Sequence, residues 1–255
     1  MASLDERRLN RAARRLKQAR YAVALTGAGI STPSGVPDFR SPGSGLWEQV
    51  DPLEVASIYS FRRHPERFYN WIRPLAGLML TARPNPAHHA LAALEAAGYL
   101  KAVITQNIDG LHQAAGSRRV IEVHGHLRQA TCMHCYAHFP ARPIIERFLE
   151  DGEVPRCPRC GGVIKPDVVL FGEQLPARAF YEAQQEARRC DLMLIVGSSL
   201  EVAPAGDLPL LAHEAGAHLI LINRDATHMD ALAEAVFHAD VAVVLPRLAA
   251  RALAP

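Results

Sequence analysis

Tyr21-Ala-Val-Ala-Leu25 leads without a break into Thr26-Gly27-Ala28-Gly29-Ile30-Ser31-Thr32-Pro33-Ser34-Gly35. An apolar run that ends in closely spaced glycines is how a strand enters the tight turn of a dinucleotide fold, where backbone N–H groups approach a pyrophosphate. Gly27 and Gly29 have the required spacing, but Thr32 stands at the third position of Gly-x-Gly-x-x-Gly. No strand ending in an acid follows about 20 residues later, as the dehydrogenase pattern requires. On this segment alone, a nucleotide turn and a plain glycine turn leaving a strand are both open readings.

Outward from this turn, short apolar runs alternate with helical periodicity. Strands are expected at Lys101 to Thr105, Val120 to Val123, Val168 to Leu170, Asp191 to Val196, His218 to Ile222 and Val241 to Leu245. Helices are expected at Leu4 to Arg20, Pro86 to Ala97, Ala177 to Arg189, Pro204 to Ala215 and Thr227 to Ala235. Nearly unbroken apolar strands separated by helices predict a doubly wound parallel sheet, an α/β fold covered on both faces. Two stretches interrupt the alternation. Residues 41–84 carry helical candidates at Leu53 to Tyr59 and Pro65 to Leu80, and residues 126–166 carry four of the five cysteines. Residues 1–40, 85–125 and 167–255 then form the Rossmann-like domain. The two insertions form a smaller domain beside it.

The chain has 255 residues, 49% of them hydrophobic, which suffices for one large domain with inserts and excludes a disordered tail or a mini-protein. Twenty-eight Lys and Arg against 26 Asp and Glu leave a net charge of +2, so no whole-molecule field would hold nucleic acid or an anionic membrane. The N-terminal stretch carries charges where a signal peptide needs an apolar run, and no run of apolar residues is long enough to span a membrane. A cytoplasmic monomer, with neither nucleic-acid nor membrane partners, is the expectation.

Chemistry-bearing residues gather at the predicted strand ends. Val36-Pro37-Asp38-Phe39-Arg40 sets an acid, an aromatic ring and a cation on a loop, where they could cover a ligand and contact phosphate, or where Phe39 could enter the core beside a solvated Arg40. Gln106-Asn107-Ile108-Asp109 follows the second strand, and its amides and carboxylate suit sugar hydroxyls and an amide. His124-Gly125 follows the third. An imidazole at a strand end is a candidate general base because its ordinary pKa lies near 6.5. His88, His89, His112 and His213 fall in helical segments and read as packing or surface residues. Gly197-Ser198-Ser199, at the head of an expected helix, forms a second anion-compatible turn, and Asn223 ends another strand.

Cys132-Met-His-Cys135 and Cys157-Pro-Arg-Cys160 are separated by 21 residues. Two Cys-x-x-Cys knuckles provide four thiolates for a closed, structural zinc site. Cys190 stands apart and reads as a small buried apolar residue.

These motifs, in this order, resemble the sirtuin family of NAD-dependent protein-lysine deacylases, in its bacterial and archaeal form. The resemblance spans nearly the whole chain and implies a Rossmann-like domain with a small domain of one zinc and one helical module. It implies an NAD site formed by Gly27, Ala28, Gly29, Ile30, Thr32, Asp38, Phe39, Arg40, Gln106, Asn107, Ile108, Asp109, Gly197, Ser198, Ser199, Asn223 and Asp240. His124 would be the base, acting with Asn107 and Asp109. Val169, Phe171, Gly172 and Val202 would bind an acyl-lysine peptide as an added β-strand. The reaction implied is acyl transfer to ADP-ribose with release of nicotinamide, NAD being consumed.

An ADP-ribosyltransferase or NAD glycohydrolase would use the same pocket with another acceptor. A non-catalytic zinc-ribbon interaction module would have no need of His124, Asn107 and Asp109. Relatives that remove acidic acyl groups carry Tyr and, three residues on, Arg in the helical module. Here Tyr69 is followed by Ile72, with Arg73 one residue late, about 100° round a helix, so neutral acyl groups are expected.

Overall fold

The computed structural model describes residues 5–38 and 50–254. In chain order its elements are α1 (Glu6–Gln18), β1 (Ala22–Thr26), α2 (Pro52–Val55), α3 (Ile58–Arg63), α4 (Pro65–Thr81), α5 (Pro86–Ala96), β2 (Leu100–Thr105), α6 (Leu111–Ala114), β3 (Val120–Glu122) and β4 (Gly125–Cys132). They continue as β5 (His138–Pro140), α7 (Ala141–Asp151), β6 (Ile164–Val168), α8 (Ala177–Arg189), β7 (Leu192–Val196), α9 (Leu208–Glu214), β8 (His218–Ile222), β9 (Ala235–Phe237) and α10 (Val241–Leu253).

A parallel sheet of order β3-β2-β1-β7-β8-β9 forms the frame. Alternate residues of β1 serve its two faces. Ala22 and Ala24 pack with Leu9, Leu91, Leu94, Val244 and Leu248 of α1, α5 and α10, whereas Val23 and Leu25 pack with Ala183, Ala187, Leu208 and Ala212 of α8 and α9. All five residues of β1 are buried, as a strand covered on both faces requires. Helix ends are locally encoded. The Asp5 carboxylate accepts from Arg7 N–H and Arg8 N–H at the start of α1, and Asn85 caps α5 with His88 completing a reciprocal box.

Strand order reverses between β1 and β7, where an open sheet leaves a crevice at its carboxyl edge. The turns after the two strands touch through backbone. Gly29 N–H donates to Gly197 O at 2.9 Å and Gly27 N–H to Val196 O at 3.2 Å. Gly197 has φ +61°, and a Cβ there would lie 2.3 Å from Ile30 N.

A second, antiparallel sheet, β5-β4-β6, carries the cysteines and packs with α4 and α7 around Ala76, Ala130, Ile145 and Ile164. The Sγ atoms of Cys132, Cys135, Cys157 and Cys160 lie within 4.8 Å of one another, with 3.6 Å between Cys132 and Cys160 and 3.7 Å between Cys135 and Cys157. Tetrahedral zinc at Zn–S distances of about 2.3 Å calls for sulfur separations of about 3.8 Å. The four thiols fit a structural zinc. The N–H groups of His134 and Cys135 also point at the Cys132 sulfur, at 3.4 and 3.5 Å, as donors to a ligating thiolate do.

Several expected elements differ. Val241 to Leu245 is the first part of α10, capped by Asp240, whose carboxylate accepts from Ala242 N–H at 2.8 Å. Its buried Val241, Val244, Leu245 and Leu248 are helix-spaced. Thr227 to Ala235 holds only a 3₁₀ turn, Asp230–Leu232, before β9 takes the free edge of β8. Val168 ends β6 in the antiparallel sheet, so Val168 to Leu170 is no strand of the parallel one. The helix expected from Pro204 is shorter, a 3₁₀ turn (Ala205–Asp207) leading into α9, so Ser198 and Ser199 open the loop after β7, well short of its first turn. No described helix is long and apolar enough to cross a membrane.

Gly197→Ala is expected to lower stability by at least about 2 kcal/mol through the clash and the left-handed φ, measured by thermal or denaturant unfolding. Gly77→Ala, in α4 with open space around the glycine, is expected to leave stability unchanged or raise it by up to about 1 kcal/mol. For the metal site, Cys157→Ser is expected to abolish stoichiometric zinc by atomic spectroscopy and to open the β5-β4-β6 layer to limited proteolysis.

Candidate active site

The ends of the parallel strands frame one cavity of about 1040 Å³. Its floor is the pair of glycine turns, Gly27-Ala28-Gly29 and Gly197-Ser198-Ser199. Thr32, Asp38, Gln106, Asn107, Ile108, Asp109, His124, Asn223 and Asp240 also line it. Ile30 does not. It is fully buried in the core, so this turn offers a ligand its backbone and the Ala28 side chain. Phe39 and Arg40 lie outside the described residues.

Hydrogen bonds fix the polar groups. Asn107 Nδ2 donates to Gly27 O and to Ser31 Oγ, both at 3.1 Å. Ser31 Oγ donates to Asp109 Oδ2 at 2.7 Å, and Leu111 N–H donates to Asp109 Oδ1 at 2.9 Å. Burial raises the Asp109 pKa despite these donors. Gln106 Nε2 reaches across the glycine turns to Ser198 Oγ at 2.9 Å.

His124 lies just past β3, at a turn where Gly125 adopts φ +79°; a Cβ there would lie 2.1 Å from Asp167 O. Its Nδ1 donates to Gln106 O at 3.0 Å, which leaves Nε2 as the unprotonated nitrogen of the neutral ring. Burial lowers the His124 pKa. The arrangement is that of a neutral imidazole, oriented through one nitrogen and able to take a proton at the other.

Sequence reasoning missed the polar strip beneath this site. His88 and His112 are buried, their rings 5.0 Å apart and edge to face. His112 Nε2 lies 2.9 Å from Thr26 Oγ1, and His88 Nε2 lies 3.5 Å from Ser31 Oγ. Desolvation pulls His88 to about 4 and His112 to about 3, so both rings are neutral near pH 7. The cap at Asn85 was the available signal, since a residue that closes the first turn of α5 faces inward with it.

The far wing of the cavity is apolar. Tyr69, Ile72, Leu75, Ala76 and Met79 of α4 face Leu127, Ile145 and Phe148 across it. Tyr69 OH donates to Ile164 O at 2.6 Å, and burial pushes its pKa above the ordinary range. Arg73 leans elsewhere, its Nη2 donating to Leu149 O at 2.8 Å and its guanidinium 5.7 Å from the Phe148 ring centre. Val169, Phe171, Gly172 and Val202 line the opposite lip.

Comparison with known proteins agrees with this geometry. The Sir2 family model matches residues 27–204. NAD-dependent protein deacylase 2 of Archaeoglobus fulgidus is 46% identical over 244 residues, 95% of each chain. An NAD-dependent protein deacetylase of Sulfolobus acidocaldarius is 47% identical over 228 residues, covering 89% of this chain and 88% of that one. A solved complex of Sir2 with a p53 peptide and NAD+ superposes with TM-score 0.84 at 43% identity, covering 91% of this chain and 93% of that one. Over most of its length, and in the fold that carries the cavity, the chain belongs to the Sir2 family.

Proposed function

We propose that this chain is an NAD-dependent protein-lysine deacylase. It moves the acyl group of a modified lysine to ADP-ribose and releases nicotinamide. The observation that carries the reading is the convergence, on one cavity at the switch point of the sheet, of the His124 imidazole, the Asn107 and Asp109 pair and two glycine turns. The names of the relatives and the peptide and NAD+ bound in the solved complex support it.

NAD, when bound, would supply an electrophilic ribose carbon that the carbonyl oxygen of the acyl-lysine attacks as nicotinamide leaves, and the ribose hydroxyl that accepts the acyl group. The glycine turns let backbone approach its diphosphate. Asp109, held by Ser31 and Leu111, accepts from the nicotinamide amide, and Asn107 orients the adjoining ribose. His124 Nε2 would take the proton of a ribose hydroxyl, making that oxygen a nucleophile toward the acyl carbon, whose bond to the lysine nitrogen then breaks to free the amine. Ser198, Ser199, Asn223 and Asp240 hold the adenosine half. The substrate peptide extends as a strand between residues 169–173 and 200–203, so that backbone bonds supply affinity with little demand on its sequence. The acyl chain points into the apolar wing.

His124→Ala is expected to lower kcat about 1000-fold with the melting temperature and ADP-ribose affinity unchanged. Because burial disfavours the imidazolium, the base form persists below the ordinary histidine pKa. The acid limb of kcat/KM against pH should therefore have its midpoint below 6.5, and a midpoint at or above that value would contradict the assignment.

Acyl choice follows from the apolar wing. With Arg73 committed to Leu149 O and no cation among the described residues of that wing, a succinyl carboxylate would be buried unpaired. At on the order of 3 kcal/mol, kcat/KM for an acetyl peptide should exceed that for the succinyl peptide by at least about 100-fold. Ile72→Arg should raise succinyl activity selectively. Parallel assays with the two peptides check both outcomes.

A further inference from the structure

Lys165, in β6, is only 8% exposed and lies outside the reacting groups described above. Its Nζ donates to Val168 O at 2.7 Å and to Pro166 O at 3.1 Å, and lies 3.1 Å from Glu173 Oε2. That carboxylate oxygen also accepts Leu170 N–H at 2.8 Å, while Glu173 N–H donates to Leu170 O at 3.0 Å. The ammonium thus closes a ring around residues 168–173, where β6 ends and a turn begins. Removing an ammonium from water is costly unless acceptors surround it, and here two of the three acceptors, Val168 O and Glu173 Oε2, belong to this one short stretch, the third being Pro166 O beside it.

The clamped stretch touches both halves of the site. Val169 N–H donates to His124 O at 2.9 Å, Phe171 N–H donates to Ala56 O at 2.9 Å, and Ile58 N–H donates to Phe171 O at 3.0 Å. One edge is therefore tied to the His124 turn and the other to the entry of α3. Val169, Leu170, Phe171, Gly172 and Glu173 of this stretch line the cavity.

We infer that Lys165 is a positioning residue for the acyl-peptide substrate, holding residues 169–173, through Glu173 and Val168 O, in the bridge-and-turn conformation along which the peptide backbone adds. The inference rests on the reading that the peptide docks along this segment. A lysine of purely structural value would, when removed, disturb the NAD and peptide sides together. A positioning lysine disturbs the peptide side.

The test uses the full chain, with a fluorescent acetyl-lysine peptide followed by anisotropy and ADP-ribose followed by calorimetry. Lys165→Met is expected to weaken peptide binding by about tenfold or more, with ADP-ribose affinity within about twofold of the unmodified chain. Lys165→Arg, which keeps the charge and the donors, should restore peptide affinity to within about threefold. Glu173→Gln keeps shape and loses charge, and should show the same selective loss, which keeps the test decisive if Lys165→Met fails to fold. Unchanged peptide affinity in Lys165→Met or Glu173→Gln would overturn the inference, as would equal losses of peptide and ADP-ribose affinity. Failure of the unmodified chain to bind the peptide while it binds ADP-ribose would instead overturn the docking reading, and the inference with it.

Discussion

Everything at the carboxyl edge of the parallel sheet depends on two stretches of backbone lying in contact. A Cβ on Gly27 would meet Gly197 O at 2.8 Å, and one on Gly29 would meet Gly197 Cα at 2.9 Å, so no side chain fits between the turns after β1 and β7. Because they close on each other, the cavity has a floor of peptide groups. Ile30 is driven into the core, and Gln106 can bridge from β2 to Ser198 across the seam. A polar ligand then meets fixed dipoles that need no rearrangement to receive it, which is the condition for strong electrostatic recognition in a partly dry site.

Beneath that floor the protein keeps its buried groups uncharged while giving each hydrogen bond a direction. Asn85 N–H donates to His88 Nδ1 at 3.3 Å, which leaves the His88 proton on Nε2, facing the Ser31 oxygen. The Ser31 hydroxyl is thereby free to point its hydrogen at Asp109. The cap of α5 thus helps set the orientation of a carboxylate at the cavity wall, through neutral groups whose ionisation desolvation suppresses. Neutrality matters because an imidazolium here would compete for Asp109.

How far the sequence could be read follows from where its signals are local. The glycine turns, the strand-end polar residues and the paired cysteines announce themselves because backbone approach and tetrahedral sulfur each demand particular residues at short spacing. Val241 to Leu245 misled because a five-residue apolar run fits a buried strand and a buried helix alike, and only the helix-spaced Leu248 and the Asp240 cap decide. β9 was hidden for a different reason. Edge pairing is settled by what β8 leaves open, which no window around Ala235 contains. The partners of His88 and His112 lie on other elements, Thr26 and Ser31 among them, so local context could show through the Asn85 cap that His88 turns inward but not which groups either ring meets.

The strand order has a consequence in time as well as space. β1 and β7 are immediate neighbours, with Ala22 opposite Leu192, yet the whole antiparallel cysteine-bearing layer lies between them in the chain. As the polypeptide emerges from the ribosome, β1, β2 and β3 can pair early, but the middle of the sheet keeps an open edge until β7 arrives. Loop-closure entropy must then be overcome across a long intervening segment. An apolar edge left waiting in this way is a template for wrong partners. Early closure of the cysteine knuckles around zinc would shorten the effective loop, so metal supply during synthesis bears on how quickly the dinucleotide-type sheet is completed as well as on the small layer that holds the ion.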